Sequence, residues 1–235
     1  MMHLDNIHAL LFDMDGVVID THASVEFFWN QLARTHQVTL TNEDFERFIH
    51  GTQSRRTLKQ YFPMLNAGEM QKIEQDIAIY EDNLTYQLVA GVLDFLNLLK
   101  QHHIPTALVT SGKQRKVDSV FAQFDLADKF DAIVTADVIS RGKPHPDCYE
   151  LGAKKLSVSP QNCIVFEDSL SGTHAGLSAR AQVIGVGKTS ILLDIGAVTV
   201  IPNFVDFSVK HSDPKQITLL LPGSGELTLI RRFDT

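Results

Sequence analysis

The sequence predicts an α/β protein with a doubly wound parallel sheet and a helical cap domain inserted after the first strand. Through most of the chain, short apolar runs alternate with amphipathic helical segments, which is typical of a parallel sheet covered by helices on both faces. One long interval near the N-terminus contains helical patterns only. Because that interval is too long for a simple crossover connection, it predicts an inserted unit.

Apolar runs with β-branched residues predict five buried parallel strands, at residues 8–12, 105–109, 131–134, 163–166 and 182–186. Amphipathic stripes between them predict helices near residues 92–99, 117–124 and 149–156. In a sheet of this kind, ligands bind beyond the carboxyl ends of the strands.

The domain boundaries follow from where the alternation stops. Residues 21–89 show helical spacing without a strand pattern, and we expect them to form the cap domain. Residues 1–20 and 90–235 then form the α/β core domain. Near the C-terminus, residues 217–230 predict two strands around a Pro-Gly-Ser-Gly turn, and we expect this hairpin to extend the sheet edge.

The composition is that of an ordinary globular protein, with 235 residues of which 44% are hydrophobic and 21% charged. A net charge of −7 and the lack of long Lys/Arg blocks argue against a nucleic-acid partner. The apolar runs are too short for a membrane span, and two cysteines are too few for a disulfide framework. With no signal-like N-terminus, we expect a cytoplasmic monomer.

The first candidate site is an acidic pair, Asp13 and Asp15, directly after the first predicted strand. Alternate residues of an extended chain point the same way, so the two carboxylates lie roughly 7 Å apart. They repel at this distance, and joint ionisation requires a cation or a helix N-terminus nearby. Gly16 permits a tight turn beside them. The alternative is a pair of solvated loop acids.

Two further motifs suit an anion. Thr110, Ser111 and Gly112 end a predicted strand just before a helix, where hydroxyls and free backbone N–H groups form an anion site. Lys143 lies in a rigid Gly-Lys-Pro-His-Pro segment and suits neutralisation of a phosphoryl oxygen or a carboxylate. The alternatives are a helix cap for the hydroxyls and a surface position for the lysine.

A second acidic pair, Glu167 and Asp168, ends another buried strand. Together with Asp13 these carboxylates form an oxygen-rich site of the kind that holds Mg²⁺. The alternative is that Asp168 or Ser169 caps the following helix. All four motifs lie at the carboxyl ends of parallel strands or close by, and hence on one rim, which favours a joint metal and phosphate site.

These motifs, in this order, resemble the haloacid dehalogenase (HAD) superfamily. They are Phe-Asp-Met-Asp-Gly-Val-Val-Ile-Asp, Gly-Lys-Pro-His-Pro-Asp and Phe-Glu-Asp-Ser, and the resemblance covers residues 8–186. The similar branch carries a helical cap and includes β-phosphoglucomutase and the sugar- and glycerol-phosphate phosphatases. The resemblance implies a Rossmann-like core and a Mg²⁺-dependent phosphatase, a phosphoric monoester hydrolase, whose substrate is a small phosphate ester such as a sugar or polyol phosphate.

The resemblance also implies roles for the acidic residues. Asp13 is the nucleophile that forms an aspartyl-phosphate, and Asp15 is the general acid that then becomes the base. Mg²⁺ is held by the Asp13 carboxylate, the Asp15 backbone carbonyl and Asp168. Glu167 is a direct or water-mediated ligand.

The remaining implied roles concern phosphate and substrate. Thr110, the amides of Ser111 and Gly112, and Lys143 hold the phosphoryl group. The family commonly carries an arginine two or three positions after the glycine of an Ile-His-Gly segment like the one here, where this chain has Gln53 and Ser54. From the cap we expect Gln53 and Arg56 to contact the substrate.

Two alternatives to a phosphatase remain. A β-phosphoglucomutase-like phosphomutase needs cationic cap residues for a second phosphate, and the residues at 53 and 54 count against it. A non-catalytic binding relative has no need of Asp15 or Lys143, and the intact motifs count against that.

Overall fold

The computed structural model describes residues 2–188, 190–223 and 225–231. Its main sheet has six parallel strands in the order β4-β3-β2-β5-β6-β7, and a smaller sheet has the order β1-β10-β9-β8. The strands are β1 Met2–Ile7, β2 Ala9–Phe12, β3 Thr106–Val109, β4 Ala132–Val134, β5 Cys163–Glu167, β6 Gln182–Val186, β7 Thr199–Ile201, β8 Ser208–Ser212, β9 Gln216–Leu221 and β10 Gly225–Ile230. The predicted fold class is confirmed.

All five strands predicted for the main sheet are present, as β2 to β6. β2 lies at its centre, where Leu10 is in register with Thr106 of β3 and with Ile164 of β5. Every residue of β2, β3 and β5 is buried, as expected for a sheet with both faces covered. β7, a strand of three residues at one edge, was not predicted.

Helices cover both faces of this sheet. The α-helices are α1 His22–Thr35, α2 Asn42–Asp44, α3 Ser54–Tyr61, α4 Ala67–Asp82, α5 Val92–Gln101, α6 Gln114–Phe124, α7 Asp147–Lys155, α8 Leu170–Ser178 and α9 Ile191–Asp194. Because strand side chains alternate between faces, Leu10 and Phe12 pack with α5 and α6. Ala9 and Leu11 pack with α7 and α8 on the opposite face.

The interval between β2 and α5, which we call the helical segment, contains α1 to α4 and a π-helical turn at Phe45–Ile49. Reciprocal capping boxes begin two of its helices, Thr41 with Asp44 at α2 and Asn66 with Glu69 at α4. The segment has a hydrophobic cluster of its own, which includes Trp29, Phe45, Ile49, Leu58 and Phe62. Its role as a cap domain with boundaries at 21 and 89 stays a prediction.

The C-terminal hairpin exists as β9 and β10, but the expectation that it extends the main sheet is wrong. It belongs to the smaller sheet, where β10 pairs in parallel with β1 from the N-terminus. Burial explains the placement, because Ile217, Leu219 and Leu227 are fully buried in the same cluster as Phe12. Ser224 of the predicted turn lies outside the described residues. Among the described helices, none has the length and apolar character needed to cross a membrane.

Candidate active site

The main sheet brings the predicted motifs to one rim. Asp13 follows β2, Thr110 follows β3, and Glu167 with Asp168 ends β5. Because β2 lies between β3 and β5, these residues are neighbours across the sheet. Two backbone hydrogen bonds extend the pairing beyond the strands: the Asp13 N–H donates to Phe166 O at 3.0 Å, and the Thr110 N–H donates to Val134 O at 2.9 Å.

Lys143 lies buried beneath this rim, in the loop before α7. Its Nζ is 2.5 Å from Asp13 Oδ1 and 2.6 Å from Glu167 Oε1. Burial alone would lower the pKa of Lys143, but the Asp13 and Glu167 carboxylates raise it above its ordinary value. The lysine therefore stays charged and holds the first and last motifs together.

Glu167 has hydrogen-bond donors on both carboxylate oxygens. Besides Lys143, the Tyr149 hydroxyl donates to Oε1 at 2.7 Å. The backbone N–H groups of Asp168 and Ser169 each donate to Oε2 at 3.1 Å, and the Ser169 hydroxyl donates to the same oxygen at 2.9 Å. Tyr149 was missed as a site residue, because its pattern in the sequence is that of an ordinary core position of α7.

The acidic residues fit a divalent cation. One ligand atom each from Asp13, Glu167 and Asp168 lies within 4.8 Å of the others. Asp13 Oδ2 and Asp168 Oδ1 are buried and accept no hydrogen bond from any described residue, so two carboxylate oxygens remain for a metal. Burial raises the pKa of Asp13, and the charges of Glu167 and Asp168 raise it further. Burial likewise raises the pKa of Asp168, to about 6. Added positive charge is what would keep both ionised.

Asp15 faces a different set of partners. Its Oδ1 accepts from the Thr21 hydroxyl at 2.8 Å and from Lys116 Nζ at 2.7 Å. Lys116 is buried and also lies 2.9 Å from Glu81 Oε1 on α4. Burial alone would raise the pKa of Asp15, but Lys116 and Thr21 together lower it below its usual range. The sequence reasoning missed Lys116.

The comparisons with known proteins agree with this geometry. A family model described as haloacid dehalogenase-like hydrolase matches residues 10–186. The chain belongs to this family. It is 35% identical to hexitol phosphatase A of Escherichia coli strain K12 over 184 residues, which cover 76% of this chain and 82% of that one. It is 30% identical to a phosphorylated carbohydrates phosphatase of Thermotoga maritima, over 83% of this chain and 94% of that one.

Solved structures of the family share the fold. A β-phosphoglucomutase from Clostridium difficile superposes with a TM-score of 0.73 at 26% identity, over 84% of this chain and 92% of that one. A HAD hydrolase of family IA, variant 3, from Entamoeba histolytica superposes with a TM-score of 0.74 at 28% identity, over 86% and 96% of the two chains. With several phosphatases among its relatives, this HAD-family chain is a phosphoric monoester hydrolase.

A cavity of about 410 Å³ lies between the rim and the helical segment of this HAD-family chain. The rim contributes Asp13, Asp15, Ser111, Gly112 and Asp168. Thr110 lies buried behind them, and its Oγ1 accepts from the Gly112 N–H at 2.9 Å. The Ser111 hydroxyl donates to Gly51 O of the helical segment at 3.0 Å. The helical segment and the rim are therefore in contact at the predicted phosphate-binding residues.

The two arginines near the start of α3 lie in different environments, because one lines the cavity and the other does not. Gln53 and Arg55 line the cavity, and Arg55 Nη1 lies 3.6 Å from Glu74 Oε2. Arg56 does not line it: its guanidinium donates to the Lys143 carbonyl oxygen at 3.3 Å. The Gln53 side chain packs so closely on Gly142 that a Cβ there would lie 2.9 Å from it. The substrate contact of Arg56 stays a prediction.

The cavity lining also includes acidic and aromatic side chains, besides the basic side chains of Arg55, Lys113, Arg115 and Lys116. Its acidic lining is Glu74, Glu81, Asp82 and Asp137. Phe28 and Trp29 add aromatic surface. Such a wall offers hydrogen-bond acceptors and flat apolar faces, which suit a neutral chain of hydroxyl-bearing carbons.

Proposed function

We propose that this chain is a Mg²⁺-dependent phosphatase that hydrolyses the monophosphate ester of a sugar or polyol through an aspartyl-phosphate. The observation that carries the proposal is the pair of buried carboxylate oxygens, Asp13 Oδ2 and Asp168 Oδ1, beside a lysine that neutralises Asp13. Two of the relatives, a hexitol phosphatase and a phosphorylated carbohydrates phosphatase, support the substrate class.

The nucleophile in this proposal is Asp13. Lys143 neutralises this carboxylate at Oδ1, and one carboxylate oxygen attacks phosphorus to form the acyl phosphate while the P–O bond to the alcohol breaks. The side chains of Asp13 and Asp168, with the backbone carbonyl of Asp15, would hold Mg²⁺. When bound, the cation neutralises charge on the transferring phosphoryl group.

Asp15 moves the proton. In its protonated form it delivers a proton to the leaving alcohol oxygen, and the resulting carboxylate, the form that Lys116 and Thr21 favour, takes a proton from the water that attacks the acyl phosphate. Thr21 and Lys116 occupy Oδ1, so Oδ2 is the oxygen available for this transfer. The Ser111 N–H group and the Lys143 ammonium bind the phosphoryl oxygens, while the Gly112 N–H donates to Thr110 Oγ1.

The charge of the cavity favours hydrolysis over phosphomutase chemistry. A mutase must hold a second phosphate at the far end of a bisphosphate, and this requires cations there. Here Glu74 pairs with Arg55, Asp82 pairs with Arg115, and Glu81 pairs with Lys116, so acidic partners already occupy three of the four Lys and Arg side chains of the cavity lining, the fourth being Lys113. A second phosphate would meet those carboxylates.

The direct test is phosphate release from a panel of hexitol, hexose, pentose and glycerol monophosphates, each with Mg²⁺ and with a chelator. We expect release from polyol or sugar monophosphates that depends on Mg²⁺. No release from any compound would contradict the proposal. Interconversion of hexose 1- and 6-phosphates with little free phosphate would favour the phosphomutase instead.

A further inference from the structure

A histidine from the helical segment contacts a proposed metal ligand. His22 is the first residue of α1, and its Nε2 lies 2.6 Å from Asp168 Oδ2. Asp168 is almost fully buried, whereas the His22 side chain is 45% exposed and lines the cavity. This hydrogen bond joins residues 146 positions apart, one in the helical segment and one on the rim.

The contact with His22 determines which oxygen of Asp168 has no hydrogen-bond donor among the described residues and is available to a metal. Oδ2 accepts from His22 and also packs against Gly16, where a Cβ would lie 2.1 Å from that oxygen. Oδ1 is buried and accepts no hydrogen bond from any residue that the structure describes. The carboxylate is thus held at one oxygen and open at the other, which is the arrangement of a metal ligand supported from behind.

The imidazole is itself held in place. The His50 ring packs on the His22 ring with 4.5 Å between their centroids. His50 Nε2 in turn lies 3.6 Å from Glu26 Oε1, on the side of the helical segment. A ring that is packed in this way loses little further freedom when it donates a hydrogen bond, so the donor is preorganised.

We infer that His22 is a positioning residue for the cation: its Nε2–H donates to Asp168 Oδ2 and orients Oδ1 toward the metal. The inference rests on the proposed function only in that a divalent cation binds at Asp13 and Asp168. Partners of this kind typically change metal affinity by about 10- to 100-fold. Because His22 begins α1, the same hydrogen bond links the helical segment to the cation site.

Two substitutions separate the donor from the ring. His22→Phe keeps an aromatic ring against His50 and removes the N–H donor. His22→Gln replaces the ring by an amide whose N–H₂ group can donate to Asp168 Oδ2. The control is His174→Ala, which removes an exposed histidine on α8.

The experiment measures cation binding directly, by calorimetric titration of chelator-treated protein with Mg²⁺ and by the electron paramagnetic resonance signal of bound Mn²⁺. We expect His22→Phe to weaken Mg²⁺ binding by about 10-fold or more, and His22→Gln to recover most of the loss. His174→Ala should bind as the wild type does. The increase in melting temperature on adding a fixed Mg²⁺ concentration should follow the same order. At saturating Mg²⁺, kcat of His22→Phe should return toward the wild-type value.

The outcomes separate this inference from the proposed function. If His22→Phe binds Mg²⁺ as tightly as the wild type, His22 does not position the cation, and the phosphatase proposal stands. If both substitutions weaken binding equally, the hydrogen bond is not the cause, and the inference also fails. If the wild type binds neither Mg²⁺ nor Mn²⁺, no such cation binds at Asp13 and Asp168, and this inference and the proposed function are both contradicted.

Discussion

Asp13 is the proposed nucleophile. Its carboxylate is paired with Lys143 at Oδ1 and, in the proposed mechanism, attacks phosphorus. Asp13→Asn keeps the shape and an acceptor for Lys143 but removes the nucleophile. We expect kcat to fall by about 10⁴-fold or more, with the melting temperature retained. Phosphate release on the best substrate of the panel measures this. Activity near the wild-type value would remove Asp13 from the role.

Lys116 supports Asp15, the proposed general acid, and lines the cavity. It bridges Asp15 and Glu81 from a buried position, with Nζ contacts of 2.7 and 2.9 Å. Lys116→Met leaves both carboxylates without their cation. We expect about 2–3 kcal/mol lower stability, since removing one partner of a buried ion pair is costly. We also expect kcat to fall more than tenfold with a smaller change in KM, because Asp15 loses the group that orients it.

Two controls sharpen this prediction. Lys116→Arg keeps the positive charge and should retain part of the activity, whereas Lys72→Met removes an exposed lysine from α4 and should change little. Denaturant unfolding and steady-state kinetics provide the measurements. A Lys116→Met variant with wild-type kcat would show that Asp15 is positioned without it.

At the scale of elements, Gly51 marks where the helical segment meets the rim. It has a φ of +69°, and a Cβ built on it would lie 2.0 Å from Ser169 Oγ. That hydroxyl donates to Glu167 and accepts from the Gly172 N–H at the start of α8. The backbone of the helical segment therefore comes so close to Ser169, beside Glu167, that only a glycine fits at position 51.

Gly51→Ala should push the helical segment away from the rim. We expect kcat/KM to fall by about 10-fold or more, because the misplacement opens the cavity to water. The matched control is Gly68→Ala, an exposed glycine in the first turn of α4, where alanine favours the helix and activity should not change. Steady-state kinetics on both variants would check this. Equal activity in the two would mean that close contact at Gly51 is not needed for turnover.

The strands also show which parts of the fold can be predicted from the sequence alone. Buried parallel strands have a recognisable apolar pattern, and all five were predictable from it. β8 was not, because all five of its residues are exposed and show no apolar alternation. The hairpin strands were predictable, but their partner sheet was not, since a strand pattern gives the buried face and leaves the neighbour open.

The site residues likewise fall into those that the sequence predicts and those that it does not. Asp13, Thr110 and Glu167 were predictable because a parallel sheet brings strand ends to one rim. Lys116 and His22 were not, because their partners lie 101 and 146 residues away along the chain. Their contacts depend on how the helical segment and α6 pack, which local periodicity does not encode.

At the scale of the whole molecule, the smaller sheet closes the core of the larger one. Leu219 of β9 is fully buried in the cluster that contains Phe12, the residue before Asp13. Its neighbour Leu220 points to the other face and is 38% exposed. This sheet is formed by β1, β8, β9 and β10, which all lie outside the matched range of 10–186, so strands from outside that range pack against the family core of this chain.

The two leucines test that arrangement with the same substitution. Leu219→Ala should lower the free energy of unfolding by about 2–5 kcal/mol, because it removes buried methyl groups and leaves a cavity. Leu220→Ala should change it by less than about 1 kcal/mol. Urea unfolding gives both values, and kcat of Leu219→Ala, measured well below its melting temperature, should match the wild type since the side chain lies away from the rim. If Leu219→Ala cost no more than Leu220→Ala, the smaller sheet would be an appendage, and the core would be stable without it.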